Sequence, residues 1–167
     1  MLQHIRFTTA GESHGKGTLV ILEGVPAGLP ITPMDVARDL ARRQLGYGRG
    51  GRMAIEKDAG EVLSGIRLGE TLGSPVAIWI RNRDHSNWEV AMSVDGRPEA
   101  DDETLRRVYL PRPGHADLVG MLKYDRADAR DILERSSARE TSARVAAGSV
   151  ARRLLAELGV SIGSHVI

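Results

Sequence analysis

The chain has 167 residues, 41% hydrophobic and 27% charged, with a formal net charge of +1; this suits one soluble globular domain and excludes wholesale disorder or a collagen-like repeat. A net charge near zero removes any global electrostatic argument for nucleic acid or membrane partners and turns attention to where the basic residues cluster. Cysteine is absent, so disulfides and thiolate metal sites are excluded, as suits a cytoplasmic protein. The N-terminus has no signal-peptide layout, and no apolar run approaches the roughly 20 residues needed to cross a bilayer.

In chain order, a strand is expected near Ile5 to Phe7, followed by a glycine-punctuated turn from Gly11 to Gly17. Thr18 to Leu22 is a continuous apolar run bounded by Gly17 and Gly24, as expected for a strand covered on both faces. A loop carries Gly24, Pro26, Gly28 and Pro30. Thr32 is an N-cap with Pro33 at the first helical position, and Val36, Ala37, Leu40 and Ala41 form the apolar stripe of a helix that Gly46 stops. Arg42 and Arg43 end its exposed side. A flexible stretch from Gly46 to Arg52 follows, then strand with turns from Met53 to Ile66, and a strand from Pro75 to Ile80. Asn82 to Glu103 is polar and without periodicity, the pattern of a long surface loop. Ser137 and Glu140 form an S-x-x-E capping box, so a long helix is expected from near Ser137, with Val145, Ala146, Val150, Leu154, Leu155 and Leu158 as its stripe up to Gly159. Val160 to Ile167 alternates like a strand and ends without a closing turn, which reads as a cut chain. No internal repeat is present.

Four segments carry candidate chemistry. Gly11-Glu12-Ser13-His14-Gly15 matches G-x-S-x-G, the signature of a hydrolase nucleophile elbow, but an elbow runs directly into a helix and this turn runs into a strand. The plain alternative is a glycine turn, in which His14 is unusually accessible. Arg42, Arg43, Arg49 and Arg52 cluster on a glycine-rich backbone, and guanidinium forks suit a substrate with several phosphate and carboxylate groups. The rival readings there are a Gly-Arg segment for RNA, which would need interleaved aromatics and a basic domain, and a solvated loop. Pro111-Arg112-Pro113-Gly114-His115-Ala116-Asp117 sets Arg112 and His115 in a rigid turn entering a short helix. Histidine titrates near neutrality, so His14 and His115 form the natural pair for proton transfers, while His4, His85 and His165 read as structural or surface residues. Arg135, Ser136, Ser137 and Arg139 stand where the backbone N–H groups of the long helix begin, a place that favours an anion. Carboxylates and histidines never fall at zinc or calcium spacing, so no protein-held metal is expected.

These segments, in this order, resemble the chorismate synthase family: Gly11 to Gly15 continuing to Glu23-Gly24-Val25-Pro26-Ala27-Gly28; Arg42-Arg43-Gln44 to Gly48-Arg49-Gly50-Gly51-Arg52-Met53; Arg112 to Asp117; and Arg135-Ser136-Ser137-Ala138-Arg139-Glu140-Thr141 continuing to Arg144 and Gly148. The resemblance implies an α+β fold, a β-α-β sandwich with helices between antiparallel sheets, and assembly as a homotetramer. It implies a lyase of the shikimate pathway that removes phosphate from 5-enolpyruvylshikimate 3-phosphate in a 1,4-anti elimination, using reduced FMN. By motif, His14 lies near the leaving phosphate and His115 near the flavin. Substrate falls to Ser13, Arg43, Arg49, Arg52, Arg112 and Arg139, flavin to Arg135, Ser136 and Ser137. Arg43 and Arg49 also match NADPH positions in members that reduce their own flavin. The family chain continues past Ile167 with further flavin contacts and a catalytic aspartate. Residues 1–167 are therefore expected to be the N-terminal part of a single domain. The alternative is an inactive truncated fragment, or a binding module whose Gly-Arg loop holds nucleic acid or a partner.

Overall fold

The computed structural model describes residues 4–45, 58–96 and 99–165. Strands β1 (Arg6–Ala10) and β2 (Gly17–Glu23) are antiparallel neighbours, and helix α1 (Pro33–Arg43) follows. Strand β3 (Gly60–Ser64) comes next, then a small hairpin of β4 (Ile66–Arg67) and β5 (Glu70–Thr71), then β6 (Val76–Arg81). The main sheet has the order β1-β2-β6-β3, antiparallel throughout. Helices α2 (Asp117–Tyr124), α3 (Arg130–Leu133) and α4 (Thr141–Glu157) complete the chain. Antiparallel sheet and helices together give the expected α+β class, and α1 and α4 form the helical layer on one face of the sheet.

Alternation along the central strands decides which face that is. Thr18, Val20 and Leu22 on β2 stand opposite Ile80, Ile78 and Val76 on β6, and all six are buried. Their neighbours Leu19, Ile21, Ala77 and Trp79 point the other way and are only half-buried. The expectation that β2 is covered on both faces is therefore corrected: its apolar run serves an antiparallel strand with one helix-covered face.

Helix α1 begins as expected. The Thr32 N–H and hydroxyl both donate to Asp35 Oδ2, at 2.9 and 3.0 Å, and Pro33 occupies the first turn. Its buried face is Val36, Asp39 and Leu40, whereas Ala41 is exposed. Asp39 is tolerated there because Arg152 of α4 donates to it at 2.7 Å. At the far end of the sheet, a Cβ on Gly60 would stand 2.8 Å from Val36 and 3.1 Å from Ile78, so α1 lies against β3 as closely as it does only because that residue is glycine.

Three sequence expectations change in the last third. Ser137 caps a short 3-10 turn (Ala138–Glu140), its hydroxyl accepting from the Arg139 N–H at 3.3 Å, and α4 proper starts at Thr141. The Glu140 carboxylate does not close a capping box but accepts from Thr9 and Arg144. The face α4 lays on the sheet is Ser142, Ala143, Ala146, Ala147, Ser149 and Val150. Val145, Leu154 and Leu155 lie half-buried at its flanks, and Leu158 is 71% exposed. Small side chains win because they let the helix approach the strands closely. Finally, residues 160–165 are in no strand. The stretch from 46 to 57, with the whole of the Gly-Arg segment from Gly46 to Arg52 and the start of the strand expected from Met53, lies outside the described residues.

These assignments separate two leucines. Leu40→Ala, fully buried, is expected to lower unfolding stability by about 2–5 kcal/mol. Leu158→Ala is expected to stay within roughly 0.5 kcal/mol of the parent. Urea denaturation of both variants checks this.

Candidate functional site

The turn from Gly11 to Lys16 joins β1 to β2 at one end of the sheet, and it is closed tightly. Gly11 has φ +100°, and a Cβ there would meet the Gly17 carbonyl oxygen at 2.2 Å, so only glycine fits. The chain passes from strand to strand with no helix after Ser13, so the G-x-S-x-G stretch is not a nucleophile elbow, and Ser13 is 3% exposed. Asn82, just past β6, donates from Nδ2 to the carbonyl oxygens of Ser13 and Gly15 at 3.0 and 2.9 Å. His85 Nδ1 lies 3.1 Å from the His14 carbonyl oxygen, in keeping with a structural role for that residue.

His14 is gripped from two sides. Its backbone N–H donates to Glu134 Oε2 at 2.8 Å, and its ring Nδ1 lies 2.8 and 2.9 Å from the two Glu134 oxygens. The Ser13 N–H donates to the Glu134 carbonyl at 2.9 Å. Across the ring, Trp88 stacks at 3.6 Å between centroids with a 26° tilt, and the Arg106 guanidinium lies 3.9 Å from the Trp88 ring. The stretch expected to be a surface loop thus contributes Asn82, His85 and Trp88 beneath and beside His14. Burial pushes the Glu134 carboxyl up, but hydrogen bonds from His14 and from Arg130, at 2.8 Å, outweigh it and hold the group below its ordinary value.

A second buried carboxylate, Asp58, joins Arg43 and Arg139. Arg43 donates to it at 3.0 Å and Arg139 donates to its other oxygen. Arg43 also reaches the Ala138 carbonyl and the Thr141 hydroxyl, both at 3.0 Å, so it turns into the protein and does not end an exposed helix side. Arg139 reaches the Arg81 carbonyl at 3.3 Å. Arg81 and Asn82 are consecutive, so the end of β6 brings the arginine pair and the histidine turn together. Arg49 and Arg52 lie outside the described residues.

Arg112 and His115 stand on the exposed turn before α2. Arg112 forks onto Asp117 through Nε at 2.8 Å and Nη2 at 3.0 Å, and its backbone N–H donates to the same carboxylate at 3.0 Å. Those bonds hold the fully buried Asp117 carboxyl down at about 2. His115 Nδ1 lies 3.0 Å from the Pro113 carbonyl oxygen.

Arg135, Ser136 and Ser137 line a cleft of about 650 Å³ with Val119, Lys123 and Arg144. Arg135 Nη2 donates to Thr9, at 2.9 Å to its carbonyl and 2.6 Å to its hydroxyl. Its Nη1 is buried and has no hydrogen-bond partner among the described residues. A buried guanidinium N–H in that state lacks an acceptor; Asp131 and Glu140 also line the cleft, and Arg144 donates to Glu140 at 2.8 Å, so the open Arg135 N–H, with Lys123 and the two serines near it, is what fits an anionic group such as a flavin phosphate.

Sequence reasoning singled out the histidines, arginines and serines but missed Glu134, Asp58, Trp88 and Asn82. Asp117 enters that reasoning only as the last residue of the Pro111 to Asp117 segment. The one available signal was that clustered arginines require buried carboxylates somewhere in the chain.

The chorismate synthase family model matches residues 5–167. The chain is 57% identical to a chorismate synthase of Aquifex aeolicus (strain VF5) over 99% of this chain and 41% of that protein. It is 58% identical to one of Enterococcus faecalis (strain ATCC 700802 / V583) over 97% of this chain and 42% of that protein. A crystal structure of a chorismate synthase aligns with TM-score 0.70 and 45% identity, covering 96% of this chain and 37% of its own. The chain therefore spans about two fifths of the length of the curated relatives it matches. Among the described residues no helix is long and apolar enough to cross a membrane.

The depressed carboxyl of Asp117 fixes the sign of an acid effect. Its folded-state value lies near about 2 against an ordinary 3.8, so its contribution to stability is present at neutral pH and lost as pH falls through that window. Urea midpoints of the parent should drop as pH falls from about 4 to about 2. Asp117→Asn should be less stable at neutral pH and show a shallower drop.

Proposed function

The chain belongs to the chorismate synthase family, and we propose that its residues 1–167 form the N-terminal part of a domain that converts 5-enolpyruvylshikimate 3-phosphate to chorismate. The observation that carries this reading is the end of β6, where consecutive residues hold the His14 turn through Asn82 and the Arg43–Asp58–Arg139 group through Arg81. A substrate with one phosphate and two carboxylates needs several directed guanidinium groups beside a proton donor, and that pairing is what this end of the sheet supplies.

In this reading Arg43, Arg139 and Arg112, with Arg49 and Arg52, bind the substrate anions, and Ser13 adds its hydroxyl. The C3–O bond breaks as phosphate leaves, and His14, as the imidazolium, gives the departing phosphate its Nε2 proton and becomes the neutral ring. Arg135, Ser136 and Ser137 hold the phosphate of FMN. Reduced FMN held there would supply electron transfer to the substrate and an acceptor for the C6 hydrogen. His115, exposed on its turn, exchanges protons on the flavin side. Where the protein reduces its own flavin, Arg43 and Arg49 meet NADPH. The enzyme works in the cytoplasm as a homotetramer, without nucleic acid or membrane partners. The net charge near zero is what supports the reading without nucleic acid or membrane partners, and the cytoplasm and the homotetramer are carried over from the family resemblance.

Anaerobic mixing of the protein with reduced FMN and 5-enolpyruvylshikimate 3-phosphate, followed by chorismate absorbance, tests the reading. His14→Ala and His115→Ala should each lower turnover by about 10²–10⁴-fold. Arg135→Ala should weaken FMN binding by roughly 10- to 100-fold in a fluorescence titration. Turnover that survives in His14→Ala would remove His14 from the chemistry.

A further inference from the structure

We infer that Glu134 is the positioning residue of His14, fixing the imidazole as its Nδ1–H tautomer so that Nε2 is the nitrogen that exchanges the proton. The inference rests on the reading that His14 is the proton donor to the leaving phosphate.

Three donors converge on the Glu134 carboxylate: the His14 backbone N–H at 2.8 Å, the His14 ring at 2.8 and 2.9 Å, and Arg130 Nη1 at 2.8 Å. The residue is 3% exposed, and Arg130, four residues back on the same stretch of helix, supplies the opposite charge. An ionised carboxylate only accepts hydrogen bonds, so the hydrogen between it and Nδ1 belongs to the ring.

Rotation of the ring is opposed from the other side. Trp88 covers His14 in a stack, and its own Nε1 donates to Asp84 at 2.9 Å while Arg106 lies over its ring. A half-turn about the Cβ–Cγ bond would put Cδ2 where Nδ1 stands and break the ring's bonds to Glu134, and intermediate angles would tilt the imidazole out of its stack on the indole. The glutamate holds the backbone too, since its carbonyl accepts from Ser13 and its carboxylate from the His14 N–H. One residue therefore sets loop, ring and tautomer together. Glutamine cannot replace it in this role: its carboxamide places a donor where the carboxylate has an acceptor, so either Arg130 or His14 faces an N–H.

The test uses the full chain with 15N-labelled histidine and long-range 1H–15N correlation spectra, from mildly acidic to mildly alkaline pH, His14 being assigned by its loss in His14→Asn. The expected result is a neutral His14 protonated at Nδ1, with Glu134→Gln producing a mixture of tautomers. The same variant should lose about tenfold or more in kcat with KM within about twofold. An Nε2–H tautomer in the parent overturns the inference whether or not any variant folds, as does a glutamine variant that keeps both the parent tautomer and the parent kcat. If His14→Ala retains turnover, the reaction role of His14 fails separately, and the tautomer spectrum still decides what Glu134 does to the ring.

Discussion

An ionised carboxylate removed from water must be met by charged or N–H donors or it ceases to be ionised. Among the described residues, four buried acidic side chains meet that demand. Asp58 gathers Arg43 and Arg139, Asp117 gathers Arg112, Asp39 gathers Arg152, and Glu134 gathers His14 and Arg130. Such pairs add little net stability compared with apolar packing. What they give is direction: a long guanidinium side chain that would sample many rotamers is held in one, and the cation-rich end of the sheet acquires a fixed layout.

The direction set by these pairs is coupled to the packing of α4. Ser142 donates its hydroxyl to the Arg139 carbonyl at 2.8 Å and lies 2.9 Å from the Thr18 hydroxyl, with both groups buried. Because Ser142 spends its proton on Arg139, Thr18 is the donor between the hydroxyls. A strand residue two positions after the His14 turn's last lysine is thereby tied to the turn that carries Arg139. The small side chains of α4 that follow keep this link short, and any bulkier residue along that face would lift the helix start and the arginine with it.

What the sequence revealed and what it concealed divide along the same line. Elements whose evidence is local were legible: β2 and β6 from their β-branched runs, α1 from Thr32 and Pro33, the turn at Gly11 from its glycines. The packing face of α4 was not, because hydrophobic periodicity weights bulk, so Leu154, Leu155 and Leu158 outvoted the alanines and serines that actually touch the sheet. The site shows the same split. His14, Arg43, Arg112, Arg135 and Arg139 stand out by residue type and by glycine or helix-start context. Glu134, Asp58 and Trp88 have no local signature, since what they do depends on partners 120, 81 or 15, and 74 residues away along the chain.

The separation between His14 and Glu134 also sets an order of events during synthesis. At roughly 5–20 residues per second, the interval between the two residues leaving the ribosome is on the order of 10 s. A hairpin such as β1–β2 forms in about 1–10 μs. The turn that bears the histidine is therefore made early and left without its anchor for a period some six orders of magnitude longer than its own closure time. Only when α3 has been translated does a glutamate arrive to hold the ring.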